Sequence, residues 1–104
     1  MASWTPKIVR RVRELAANGH VRFTHKALYE MASLGMDQED VLHLLQHLDS
    51  KECAGRVRSS VTSEWLYVFK PTVAVTTLYV KIALRQGCIV VSLHEDEEND
   101  HDQT

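Results

Sequence analysis

The fold is decided by residues 77–94, which read TLYVKIALRQGCIVVSLH. Apolar and polar side chains alternate along the first half of this stretch, and a two-residue period is typical of a strand with one buried face. Gln86-Gly87 then predicts a two-residue turn, because glycine adopts the positive φ that tight hairpin turns require. The stretch is therefore predicted to be a β-hairpin with these facing pairs: Arg85 with Cys88, Lys81 with Ser92, and Tyr79 with His94.

The two faces of the predicted hairpin differ in chemistry. One face is apolar and is assigned to the core, with Val80, Ile82, Leu84, Ile89, Val91 and Leu93. The other face carries Tyr79, Lys81 and His94, polar groups that a dry core does not accept without partners. We therefore look for functional chemistry on this second face.

Residues 5–48 show the hydrophobic period of three amphipathic helices. The Thr5-Pro6 pair predicts the start of the first helix, since threonine is a frequent N-cap and proline suits the first helical turn. Thr24 is predicted to cap the second helix. Asp37, followed three residues later by Asp40, resembles the capping box that begins a helix, so the third helix is predicted to start there.

After Asp49 the period changes to two, which predicts further strands at 56–61 and 65–69. With the hairpin they give an α+β domain: three N-terminal helices packed on one face of a four-stranded, or slightly larger, antiparallel sheet. If Leu66 and Val68 point into the core, the alternate residues of both strands lie on the outer face with Tyr79. That outer set is Arg56, Arg58, Trp65, Tyr67 and Phe69.

The net charge of −2 conceals an uneven distribution of charged residues. Six of the fourteen acidic residues lie in residues 95–104, which contain no lysine or arginine, so residues 1–94 carry twelve basic side chains against eight acidic ones. We predict one domain over residues 1–94, followed by a disordered acidic tail over residues 95–104. A basic domain of this kind favours a polyanionic partner.

The remaining composition predicts a cytoplasmic protein without a membrane partner. No apolar run approaches the roughly 18 residues of a membrane span, and the N-terminus lacks the apolar segment of a signal peptide. Cys53 and Cys88 are too few for a disulfide scaffold or a zinc site and are interpreted as packing residues. His43 and His47 have a spacing that can bind a metal, but without a third ligand a solvated helix face is favoured.

Basic and aromatic side chains interleaved on the outer face are typical of single-stranded RNA binding, because cations neutralise phosphates and rings stack on bases. A histidine adds the chemistry of metal-free cleavage, since histidine exchanges protons near neutral pH. No carboxylate cluster for magnesium is evident, so neither a metal nor another cofactor is expected. The predicted roles are His94 as general acid, Tyr79 and Lys81 as phosphate-positioning residues, Arg56 or Arg58 as a phosphate clamp, and Arg58, Tyr67 and Lys70 as RNA-binding residues.

A second interpretation stays open, in which the same face binds RNA, DNA or an acidic protein without chemistry. Lys81 and His94 are also typical of ordinary solvated strand residues, and Arg56 and Arg58 of edge-strand charges that discourage aggregation. Salt-sensitive binding that survives the loss of His94 would distinguish such a binding protein from a ribonuclease.

Several short segments, taken in order and spacing, point to a known family: Thr5-Pro6, residues 18–22, Ala27-Leu28, residues 34–37, Trp65, residues 68–71, residues 78–82 and residues 89–92. Together they resemble the MqsR-type mRNA interferase toxins (motility quorum-sensing regulators), within the RelE/barnase-like group of small ribonucleases. The resemblance implies a RelE-like fold, endoribonuclease cleavage of mRNA without a metal, a cognate antitoxin that inhibits the toxin, and a bacterial cytoplasmic setting.

The functional positions of the family carry over unevenly. Tyr79 matches the family's tyrosine on the third strand. At three other positions this sequence differs: Arg56 and His94 stand where the family usually has lysine, and Leu66 stands where it commonly has glutamine. A histidine at the strand end still permits proton transfer, whereas leucine does not replace the hydrogen bonds of glutamine.

Overall fold

A computed structural model describes residues 2–97 as three α-helices, a short 3-10 helix and six strands. The helices are α1 (Thr5–Ala17), α2 (His25–Ser33) and α3 (Gln38–Gln46), and the 3-10 helix spans Ser50–Glu52. The strands are β1 (Val21–Phe23), β2 (Cys53–Arg58), β3 (Trp65–Phe69), β4 (Thr72–Val73), β5 (Thr76–Leu84) and β6 (Cys88–Glu95). The predicted α+β class is confirmed.

The strands form one sheet in the order β1-β6-β5-β3-β2, with β4 added beside β5. The pairs β6–β5, β5–β3 and β3–β2 are antiparallel, whereas β1 runs parallel to β6. The sheet is therefore mixed, and the prediction of a wholly antiparallel sheet is wrong. Because helices and four other strands separate β1 from β6 along the chain, no hairpin forces these two strands to run in opposite directions.

Two of the three helices begin at the predicted capping residues. The Thr24 hydroxyl accepts a backbone hydrogen bond from the first turn of α2 at 3.0 Å, and Asp37 and Asp40 form the reciprocal bonds of a capping box at α3. At α1 the N-cap is Trp4, whose side chain forms no capping bond, and Thr5 lies buried inside the helix. The prediction of Thr5 as the cap is therefore wrong by one residue.

The core lies between the helices and one face of the sheet, here called the helix face. It contains these fully buried side chains: Val12, Val41 and Leu45 from the helices, and Phe69, Val80, Ile82, Val90 and Leu93 from the strands. α1 packs on α3, while α2 packs against β6. The opposite side of the sheet, which carries Tyr79, Lys81, Ser92 and His94, is called the polar face.

β5 and β6 form the predicted hairpin, but its turn is one residue longer than predicted. Leu84, not Arg85, faces Cys88, so a three-residue loop joins the strands. Gly87 in this loop has a φ of 123°, and a Cβ atom at this position would lie 3.2 Å from the carbonyl oxygen of His20. The positive φ and the close approach of His20, the residue before β1, both explain a glycine here.

A β-bulge in β6 restores the predicted register further along the hairpin. The pairing shifts between Lys81 and Ile82, which leaves Val91 as the extra residue on β6. The Thr24 hydroxyl donates a hydrogen bond of 2.9 Å to the Val91 carbonyl, so the start of α2 is tied to the bulge. Beyond it the predicted pairs are confirmed: Lys81 with Ser92 and Tyr79 with His94.

Between the bulge and the turn, the two faces of β6 are exchanged relative to the prediction. Cys88 and Val90 are fully buried on the helix face, whereas Ile89 and Val91 are half-buried. All four side chains are apolar, so the sequence does not show which of them lie on the buried face.

The face assignment of β3 is also opposite to the prediction. Tyr67 pairs with Ile82 and Phe69 pairs with Val80, which places both aromatic rings on the helix face. Leu66 lies on the polar side of the sheet instead. Because both alternating sets of β3 are apolar, hydrophobic patterning does not separate them, and the larger rings fill the core.

The C-terminal end of the domain extends past the predicted boundary at residue 94. β6 continues through Glu95, and Asp96 is buried with its carboxylate 3.6 Å from the Nζ of Lys70. The rest of the predicted acidic tail, residues 98–104, lies outside the described residues.

Candidate active site

Three of the predicted catalytic residues lie together on the polar face. Tyr79 on β5 faces His94 on β6, and their rings stack with centroids 4.9 Å apart and planes 8° from parallel. Lys81, two residues further along β5, places its Nζ 5.8 Å from the centre of the Tyr79 ring. The two-residue period of a strand brings both β5 side chains to one face, and their predicted grouping with His94 is confirmed.

The ring of His94 has one nitrogen engaged by the backbone. Nδ1 lies 2.9 Å from the carbonyl oxygen of Glu95. Since a carbonyl oxygen only accepts hydrogen bonds, Nδ1 donates its proton to it, and Nε2 is left to exchange a proton with a ligand. This bond and the stacked Tyr79 ring together fix the plane of the imidazole.

Lys81 supplies positive charge beside this ring pair. Its side chain is half-buried, and no carboxylate of residues 2–97 forms an ion pair with it. A partly desolvated ammonium without an ion-pair partner among residues 2–97 favours the binding of an anion from solution.

Helix α2 adds a polar cluster that sequence reasoning missed. Glu30 accepts hydrogen bonds from the backbone N–H of Leu93 at 3.0 Å and from Nζ of Lys26 at 3.2 Å. The same Nζ donates to the hydroxyl of Ser92 at 2.9 Å, and Ser92 is buried opposite Lys81. The spacing of Lys26 and Glu30 is a weak signal, because such pairs are equally typical of a solvated helix face.

The Glu30 carboxylate is held in its charged form. Desolvation raises its pKa, but hydrogen bonds from Leu93 and Lys26, with the positive charges of Lys26 and His94, outweigh that effect and hold the pKa below its usual 4.5. Glu30 therefore links α2 to the backbone N–H of Leu93 on β6 and places a negative charge within electrostatic reach of His94.

Replacing Glu30 by glutamine is expected to destabilise the protein by about 1–3 kcal/mol at pH 7, because charged hydrogen bonds to Leu93 and Lys26 are lost. A carboxyl group with a lowered pKa in the folded state contributes stability above its unfolded pKa and loses it as the pH falls through its folded pKa. Urea unfolding should therefore show the gap between wild type and Glu30→Gln narrowing as the pH falls below 4.5. Glu14→Gln, an exposed change on α1, is the control, and a gap independent of pH would contradict the assignment.

Three other predicted site residues lie on the opposite side of the sheet. Arg56 pairs with Tyr67, which pairs in turn with Ile82 in the core. Arg58 is two residues further along β2 and therefore lies on the same face as Arg56. The prediction that Arg56, Arg58 and Tyr67 share a face with Tyr79 is therefore wrong, for the reason given for β3. Arg56 is not placed to hold a phosphate beside His94.

The remaining candidates are possible metal ligands, the two cysteines and Lys70. Within residues 2–97, no three His, Cys, Asp or Glu side chains lie together as a possible metal site. Cys53 and Cys88 are both free, and burial raises the pKa of the Cys88 thiol to about 12. Lys70 forms the ion pair with Asp96, and its role in RNA binding stays a prediction.

Two comparisons extend the description beyond this chain. The model of a protein family described as "motility quorum-sensing regulator, toxin of MqsA" matches residues 7–95, a span that includes the whole polar face. No curated protein sequence matches the chain. In the described part of the chain, no helix has the length and apolar character needed to cross a membrane.

Proposed function

The chain belongs to the MqsR toxin family, and we propose that it acts as a metal-independent endoribonuclease that cleaves single-stranded mRNA. The observation that carries this proposal is the stacked pair of Tyr79 and His94, with Lys81 beside it on the polar face. Membership of the family makes the chain a toxin of a toxin–antitoxin system, and cleavage of mRNA is the chemistry that this group of side chains supports best.

Cleavage of RNA without a metal has three chemical requirements. The ribose 2′-hydroxyl gives its proton to water and attacks the phosphorus, and negative charge develops on the phosphoryl oxygens. The bond between phosphorus and the 5′-oxygen then breaks, and the leaving 5′-oxygen gains a proton. Nε2 of His94 is the group that donates this last proton. The ammonium of Lys81 stabilises the developing charge, and the ring of Tyr79 holds the imidazole in place.

A cognate antitoxin is the protein partner that this proposal includes. The family description names MqsA as the partner of its toxin, and the antitoxin of this chain would belong to the same system. We propose the bacterial cytoplasm as the place of action, because mRNA and a protein inhibitor meet there.

The test of the proposal is cleavage of single-stranded RNA by the purified protein in the presence of EDTA. We expect cleavage products that end in 2′,3′-cyclic phosphate or 3′-phosphate, since the attacking nucleophile is the 2′-hydroxyl. A substrate with 2′-O-methyl groups should resist cleavage and is the matched control. Intact RNA after incubation with wild-type protein, with and without added divalent metal, would overturn the assignment as a ribonuclease.

A second candidate function is RNA binding without cleavage. The position of Arg56 favours it, because this arginine lies on the far side of the sheet and is not placed to stabilise charge on a phosphate beside His94. Under this alternative, the protein binds RNA in a salt-dependent manner in the EDTA experiment, and the RNA stays intact.

A further inference from the structure

Two arginines and two tryptophans alternate on the surface of the helix face. The guanidinium carbon of Arg56 lies 4.9 Å from the ring centre of Trp4 and 4.0 Å from that of Trp65. The guanidinium carbon of Arg58 lies 4.0 Å from the same Trp65 ring. We call the four residues the arginine–tryptophan ladder.

The ladder lies at the edge of the sheet and is open to solvent. Arg56 and Arg58 belong to β2, the last strand in the sheet order, and both are exposed. Trp4 and Trp65 are half-buried, and the Trp4 ring also contacts Tyr67, with centroids 5.4 Å apart. The rings are therefore partly buried, and the exposed guanidinium groups of Arg56 and Arg58 lie over them.

The charge of the ladder is not compensated by any carboxylate of residues 2–97. Among the described residues, neither Arg56 nor Arg58 has a carboxylate within ion-pair distance. Arg58 donates a hydrogen bond of 2.7 Å to the carbonyl of Ser63, which orients its guanidinium without neutralising it. Two oriented positive charges and two large rings are more than an edge strand needs in order to discourage aggregation.

We infer that the arginine–tryptophan ladder is a binding site for single-stranded RNA, separate from the polar face that carries His94. Guanidinium groups neutralise phosphates and present flat faces on which unpaired bases stack, and the tryptophan rings hold those faces in place. The inference rests on the proposed function for its choice of RNA as the ligand, but it does not require that the RNA be cleaved.

The chain carries its own probe for this site. Its two tryptophans are both members of the ladder, so bases that stack on the guanidinium groups lie close to the indole rings, and we expect them to quench the intrinsic fluorescence of the protein. A short 2′-O-methyl oligouridylate is the suitable ligand, because its blocked 2′-oxygen prevents cleavage during the titration. We expect saturable quenching. The variants Trp4→Phe and Trp65→Phe each keep one tryptophan, so the quenching of each variant reports on the remaining ring.

The double variant Arg56→Gln/Arg58→Gln tests the electrostatic half of the site. It is expected to weaken oligouridylate binding about tenfold or more, and to lower the slope of log K against log salt by about 1.4, since each lost phosphate contact accounts for about 0.7. Arg22→Gln is the matched control for lost charge. Arg22 lies on β1 at the opposite edge of the sheet, about 19 Å from β2 by strand spacing, and its loss should change neither quantity.

The outcomes separate this inference from the proposed function. Quenching by the oligouridylate without cleavage of ordinary RNA would support RNA binding at the ladder and contradict the proposed ribonuclease activity. Binding of a labelled oligouridylate without quenching, or with unchanged affinity in the double variant, would overturn the ladder and leave the ribonuclease untouched. Quenching by a purified antitoxin but not by RNA would show that the ladder is a protein interface, which also overturns the inference.

Discussion

Replacement of His94 by alanine is expected to lower the rate of RNA cleavage by about 10²–10⁴-fold, the usual contribution of a general acid or base. The physical reason is that Nε2 is the free nitrogen of an imidazole whose Nδ1 is bonded to the Glu95 carbonyl.

The matched control for this experiment is His47→Ala. His47 is an exposed histidine at the end of α3, and its Nδ1 is also bonded to a backbone carbonyl, that of His43, at 2.8 Å. It differs from His94 in having no place on the polar face, so its loss should leave the cleavage rate unchanged. Initial rates in EDTA, measured under single-turnover conditions, report the chemical step.

The stacked ring of Tyr79 gives a second control on the same mechanism. Tyr79→Phe keeps a ring against the imidazole, whereas Tyr79→Ala removes it. If the ring acts by holding His94, the alanine variant should lose at least about tenfold more activity than the phenylalanine variant, because small displacements of a catalytic group are costly. Wild-type rates in His94→Ala would contradict the role of His94, whatever the result at Tyr79.

The grouping of Tyr79, Lys81 and His94 was predictable because two errors in the hairpin cancel. The sequence predicts a turn one residue shorter than the one observed, and it does not predict the bulge at Val91. The longer turn shifts the register by one residue in one direction, and the bulge shifts it by one residue in the other. Every pair beyond the bulge is therefore as predicted. A bulge has no dependable signature in a run of apolar residues, and this one is held from outside the hairpin by the Thr24 hydroxyl.

The parts of the site that were not predictable depend on contacts between distant elements. Lys26 and Glu30 reach Ser92 across 66 and 62 positions of the chain, and hydrophobic patterning carries no information about such pairs. Arg56 and Tyr67 were assigned to the wrong face. The residues on both faces of β3 are apolar, so the sequence does not show which face of β3 is buried, and Arg56 on β2 lies on the same face as its partner Tyr67. The helices were predictable to within a few residues, because their caps and amphipathic stripes are local features.

Replacement of Phe69 by alanine is expected to destabilise the protein by about 3–5 kcal/mol, the usual cost of removing a buried aromatic ring. Phe69 is fully buried in the core on the helix face, where it pairs with Val80 and has 0% of its surface open to solvent. Leu66→Ala on the same strand is the matched control and should cost clearly less, since Leu66 lies on the other side of the sheet and is half-buried. The midpoint of urea unfolding, at unchanged slope, measures both values. The two losses of stability show which face of β3 is buried. If Leu66→Ala were the more destabilising change, Leu66 would be the core residue, and Tyr67 and Arg56 would lie on the same face as His94. In that case the arginine–tryptophan ladder would lie on the polar face and would not be a site separate from that of His94.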